Sequence, residues 1–149
     1  MIHYTLNTGH SRNSPRSEVA DEVILALAPL LRSGEHDLPI EGYRAIITID
    51  GGGLLASVFN GPRPCITMAV APDDAAADAV WGTIEKLYLQ IGDMPGFRTA
   101  DFAAPQRPAT TPWCAAFTAV PTAEEAYWIA DFERCLAWAW IETKGANNA

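Results

Sequence analysis

Apolar residues recur along this chain in two spacings, and the switches between them mark its elements. Ile2–Leu6 reads as a short strand, followed by a polar loop, Asn7–Ser17. Ser14, with Pro15 at the first helical position, or Ser17 can cap the helix that follows. Val19, Val23, Leu27, Leu30 and Leu31 form its stripe, and Pro29 bends or ends it before Ser33-Gly34. A meander comes next: Tyr43–Asp50 is β-rich, Gly51-Gly52-Gly53 turns the chain and Leu54–Asn60 returns. Gly61-Pro62-Arg63-Pro64 turns it again into Cys65–Ala71. Asp73 caps a second helix whose apolar positions, Ala77, Val80, Trp81, Ile84, Leu87, Tyr88 and Ile91, repeat at helical spacing.

Four prolines between Gly92 and Pro112 exclude a long helix there, and Phe97 and Phe102 are expected to pin that segment to the body. Trp113–Val120 reads as a strand. Pro121 and the capping box Thr122-Ala123-Glu124-Glu125 then open a last helix, running to about Thr143, with a core stripe through Ala126, Ile129, Phe132 and Leu136. The order β-α-β-β-β-α-β-α predicts one α+β domain over residues 1–149. Its expected form is a mostly antiparallel sheet of about five strands with the helices packed on one face. Thr67, Ala69, Ala116 and Thr118 would line the other face. Cys65, Met68, Pro72 and Ala77 match Cys114, Phe117, Pro121 and Ala126 at an offset of 49 residues. Generic strand-to-helix chemistry explains most of that match, but it predicts two helices entering from equivalent strand ends and lying side by side.

Composition narrows the classes of function. At 149 residues the chain can hold a core without disulfides or metals. Its net charge of −8 and pI near 4.7 argue against nucleic acid and anionic membrane surfaces as partners. Cys65, Cys114 and Cys135 are too few and too odd in number for a secreted disulfide framework. The N-terminus carries no signal-like run and no stretch is apolar enough for a membrane span, so the cytoplasm is the expected compartment.

Candidate chemistry is sparse. The glycine run precedes a strand rather than a helix, so a hairpin turn explains it better than a phosphate cradle. His3, His10 and His36 lack metal-ligand spacing, and no cofactor or metal is expected. The loop Asn7–Ser17 gathers His10, Ser11, Arg12 and Arg16 ahead of a helix N-terminus, a combination that suits an anion; the plainer reading is a solvated loop that caps and turns. Cys65 and Cys114 fall at matching strand positions and read as buried thiols acting as small hydrophobes. Along the last helix Trp128 and Trp138 lie off the core stripe. Either they form a partner or homodimer surface together with Phe97 and Phe102, or they are buried beneath the proline-rich segment.

Thr8-Gly9-His10-Ser11-Arg12 and Ser14-Pro15-Arg16-Ser17-Glu18-Val19 resemble the start of small accessory proteins of proteobacterial plasmids and integrative conjugative elements. The resemblance covers about the first 20 residues, and that group has no assigned activity to carry over. It implies a mobile-element setting, in which small acidic proteins act by binding other proteins. Two functions are therefore carried forward. The first is a non-enzymatic binding or regulatory protein working through protein contacts. The second is a small enzyme or ligand-binding domain with an anion site in the loop 7–17.

Overall fold

Seven strands and two long helices account for most of the described backbone. A computed structural model describes residues 3–5, 13–15, 25–92, 105–118 and 122–147. Strands β1 (His3–Thr5) and β2 (Asn13–Pro15) form a small antiparallel pair. Strands β3 (Gly34–Asp37), β4 (Tyr43–Asp50), β5 (Gly53–Asn60), β6 (Arg63–Ala71) and β7 (Trp113–Thr118) form a five-stranded sheet in that spatial order, every neighbour antiparallel. The helices are α1 (Asp74–Gly92) and α2 (Ala123–Asn147). The α+β class and the five-stranded antiparallel sheet are therefore as the sequence predicts.

Membership of the sheet differs in one strand. The N-terminal strand pairs with β2 instead of joining the meander, and the fifth place is taken by β3, Gly-Glu-His-Asp. Three of its four residues are exposed, so it carries no apolar alternation to reveal it. A short, charged edge strand also resists pairing with other chains.

Placement of the helices also differs. They cover opposite faces of the sheet, not one. Ile47, Leu54, Val58, Met68, Val70, Cys114 and Ala116 pack with Ile129, Leu136, Trp138 and Ile141 of α2. Leu55, Ala69, Trp113, Ala115 and Phe117 pack with Ala77, Val80 and Ile84 of α1. Thr67 and Ala69 thus fall on the buried α1 side and Ala116 on the α2 side, in place of a shared open face. Because β6 and β7 are adjacent and antiparallel (Ile66↔Thr118 through Ala71↔Trp113), the helices following them leave from opposite ends of the sheet. β6 is buried at every position from Pro64 to Ala71, so both of its faces need a cover.

The open part of the sheet is the α1 side of β4, where Ile46 and Thr48 are exposed while Ala45 and Ile47 on the other side are buried. Leu27, Leu30 and Leu31, around a 3-10 turn at Ala28–Leu30 that contains Pro29, pack against the α2 cluster. Residues 105–112 are tied to α1 by Arg107 to Asp78 (2.6 Å) and Thr111 to Asp74 (3.0 Å).

The glycine run is the β4–β5 hairpin turn, as expected. Gly51 and Gly52 have φ of 60° and 88°, the left-handed pair that a two-residue hairpin loop requires. Gly53 has a different reason to be glycine: a Cβ there would come 2.4 Å from Val80 Cγ1 of α1. On the other side Trp140 of α2 donates its indole N–H to the Gly52 carbonyl (2.9 Å). Both helices therefore grip one turn.

Candidate functional site

The first turn of α2 begins as its sequence dictates. Glu125 N–H donates to Thr122 Oγ1 (3.1 Å) and Thr122 N–H donates back to Glu125 Oε1 (3.2 Å), a reciprocal capping box. In most helices the carboxylate of such a box faces water. Here Glu125 is fully buried, at 0% exposure, and its remaining capacity is turned to the sheet.

Three side chains from β4 and β6 converge on it. Arg63 grips both oxygens, Nη1 to Oε2 at 2.7 Å and Nη2 to Oε1 at 3.0 Å. Tyr43 donates its hydroxyl to Oε2 (2.8 Å), and the Cys65 thiol lies 3.4 Å from the same oxygen. One carboxylate thus joins the start of α2 to two strands, 62 and 82 residues away in sequence. Around this knot Tyr43 meets Trp128 edge-on (centroids 5.0 Å apart), and Trp128 meets Phe132 in the same manner (6.1 Å).

Electrostatics fix each group in one protonation state. Burial opposes ionisation of Glu125, but the hydrogen bonds from Arg63, Tyr43, Thr122 and Cys65 outweigh it and hold the carboxyl down at about 2. Burial first, then the Glu125 carboxylate, pushes the Tyr43 hydroxyl up to about 12. The same causes in the same order push the Cys65 thiol up to about 12. A general acid or base works best with a pKa near the ambient pH, and a cysteine nucleophile must be a thiolate. This knot offers neither. Its chemistry is that of an ion pair whose buried carboxylate is hydrogen-bonded through both oxygens, which fixes the orientation of a helix.

A second carboxylate, Glu133, lies two turns further along α2 and is also buried, with the Cys114 thiol 3.9 Å from its Oε1. Burial, then the Glu133 charge, raises the Cys114 thiol well above its ordinary value. Each of the two cysteines therefore sits beside its own glutamate, and they are not neighbours. Cys114 pairs across the sheet with Val70, five residues along β6 from Cys65, or about 17 Å at strand rise. All three cysteines are free and buried. Among the described residues, no three His, Cys, Asp or Glu side chains converge as metal ligands.

His10, Ser11, Arg12 and Arg16 lie outside the described residues, as do Phe97 and Phe102. Trp128 is half-buried. Trp138 is wholly buried in the α2 core, at 0% exposure, so it presents no surface to a partner. Seven consecutive residues, Cys135–Ile141, are buried, which requires cover on every side of the helix; Leu27, Leu30 and Leu31 belong to that cover. Among the described residues, the aromatic side chain that stands in solvent is Tyr127, 90% exposed. It shares a solvent stripe with the exposed acids Glu124 and Asp131, three residues before and four after.

The knot went unread because it joins residues whose proximity depends on strand register. One signal was nevertheless present. Glu125 falls four residues before Ile129, on the stripe that Phe132 and Leu136 continue, and a carboxylate on an apolar stripe requires a buried partner.

Fold and site together define a small α+β protein, a five-stranded antiparallel sheet between two helices, one of them fastened through a buried carboxylate paired with a partly exposed arginine. No family model, characterised protein or solved structure matches the chain. No helix among the described residues is long and apolar enough to cross a membrane.

Proposed function

We propose that this is a non-enzymatic binding or regulatory protein of a mobile element, acting through protein–protein contacts made by the first three turns of α2. One observation carries the reading. Tyr127, nine-tenths exposed between Glu124 and Asp131, stands on a helical segment whose backbone is held rigid by the buried Glu125. Tyrosine is among the side chains enriched at interface hot spots, and on a preorganised element it offers a large contact area at low entropic cost. Acids flanking it favour a partner surface that is basic and apolar, in keeping with the net charge of −8. The partner is another protein, or a second copy presenting a different, less acidic face. The closed Arg63–Glu125 knot supports the same reading, since its groups are committed to holding the helix.

Size-exclusion chromatography with light scattering, together with affinity capture, tests the proposal in wild type and Tyr127→Ser. The expected result is a partner or a dimer that is lost in the variant at unchanged melting temperature. A monodisperse monomer that captures nothing would sink the proposal. Binding indifferent to Tyr127→Ser would move the surface elsewhere.

A further inference from the structure

The two halves of α2 are attached to the sheet by different chemistry. From Cys135 to Ile141 the helix is held by apolar packing on all sides, with Trp140 bonded to the β4–β5 turn. From Thr122 to Arg134 the attachment combines partial apolar cover with polar anchors at Glu125 and Glu133. Among the described side chains, Glu125 and Glu133 are buried, Ile129 belongs to the core cluster, and Trp128 and Phe132 pack against it only partly covered. Apolar contacts tolerate small displacements, whereas a bidentate guanidinium–carboxylate pair holds only at its own geometry. Such a pair is strong while shut and is lost all at once.

We infer that residues 122–134 form a latch, closed by the Tyr43–Arg63–Glu125 knot, which opens as a unit while the second half of α2 stays docked. Local opening in cooperative segments is general in folded proteins, and segments with few buried apolar contacts open at the lowest cost. In this chain opening separates Trp128 from Tyr43, uncovers the Cys65 thiol, and releases the rigid presentation of Tyr127. Regulation of binding in this way rests on the proposed contact surface. The opening itself does not, and it is read without any partner, so the failure of one is distinguishable from the failure of the other.

Cys65 and Cys135 are built-in reporters, both free and buried, one beneath the latch and one beyond it. The 149-residue chain is labelled with iodoacetamide under native conditions, and peptide mass spectrometry follows each cysteine separately. Cys135 is 9% exposed against 1% for Cys65, so each thiol's wild-type rate serves as its own baseline. Glu125→Gln removes the ion pair and is expected to raise the Cys65 rate on the order of 10- to 100-fold while leaving Cys135 unchanged. Tyr43→Phe, which removes a single hydrogen bond and is the milder change, is expected to raise it roughly threefold to tenfold. A Cys65 rate unchanged in Glu125→Gln would overturn the latch. So would equal acceleration of both by either variant, since opening would then be global.

Discussion

Lowering the pH isolates the contribution of the buried carboxylate. Glu125 titrates at about 2 in the folded protein against an ordinary value of 4.5. A carboxyl whose folded pKa is depressed adds stability that is complete above the unfolded value and is lost as pH falls through the folded one. The window therefore runs from about 4.5 down to about 2. At roughly 1.4 kcal/mol per pH unit the gap corresponds to about 3 kcal/mol. The Arg63 side chain is 32% exposed, so solvent screens part of its field, and about 2 kcal/mol is the expected working figure. That is a large share of the stability of roughly 5–15 kcal/mol usual for a protein of this size. Urea unfolding followed by tryptophan fluorescence at pH 6, 4, 3 and 2 measures it in wild type and Glu125→Gln. Other carboxylates titrate in both proteins and cancel in the difference. Wild type should be the more stable at pH 6 by about 2 kcal/mol or more, and the gap should close toward pH 2. A gap that keeps the same size from pH 6 to pH 2 would refute the assignment of Glu125 as a charged, paired residue.

Other expectations follow from the same geometry. On the alkaline side the signs reverse: Cys65 is raised from 9.0 to about 12, so its contribution is complete below pH 9 and declines as pH rises from there. Cys65→Ala should flatten the fall in urea midpoint between pH 9 and 10, and an unchanged slope would argue against it. Gly53→Ala should cost about 2 kcal/mol, because its Cβ meets Val80 Cγ1 at 2.4 Å. Val80→Ala alone should cost about 1–3 kcal/mol, and the double variant should be more stable than the sum by about 1 kcal/mol. Strict additivity in chemical denaturation would show that α1 yields to the new methyl group. Trp140→Phe leaves the Gly52 carbonyl without its donor and should cost about 2 kcal/mol, visible as a lowered melting temperature.

Much of the fold was legible because local chemistry determined it. Asp73 caps α1 as its position implies, its Oδ1 accepting from Ala76 N–H at 2.9 Å, and Thr122 opens α2 with a complete capping box. Gly51-Gly52 turns the hairpin between two strands whose apolar runs were clear. The helix placement was missed although the chain carries its signal. Cys-Ile-Thr-Met-Ala-Val-Ala in β6 and Trp-Cys-Ala-Ala-Phe in β7 are nearly continuous apolar runs, which belong to strands covered on both faces. The matched 49-residue units suggested equivalent strand ends; antiparallel pairing of β6 with β7 makes those ends opposite. Strand β3 left no trace because an edge strand of Gly, Glu, His and Asp has no buried face to record.

The division within α2 was also present in the sequence, in a form that local rules do not weigh. From Glu124 to Arg134 the helix contains Glu124, Glu125, Asp131, Glu133 and Arg134; from Cys135 to Ile141 it contains no charged residue. A segment buried on all sides must dispense with charge, and a segment buried on one side need not. The boundary between Arg134 and Cys135 therefore separates a part of the helix that apolar packing can hold by itself from a part that requires a specific partner. What composition leaves open is which partner. Arg63 lies between two prolines, 62 residues away, and nothing local distinguishes it from any other turn arginine. Only the register of β5 on β6, with Asn60 opposite Arg63, places that guanidinium where the buried carboxylate of Glu125 needs it.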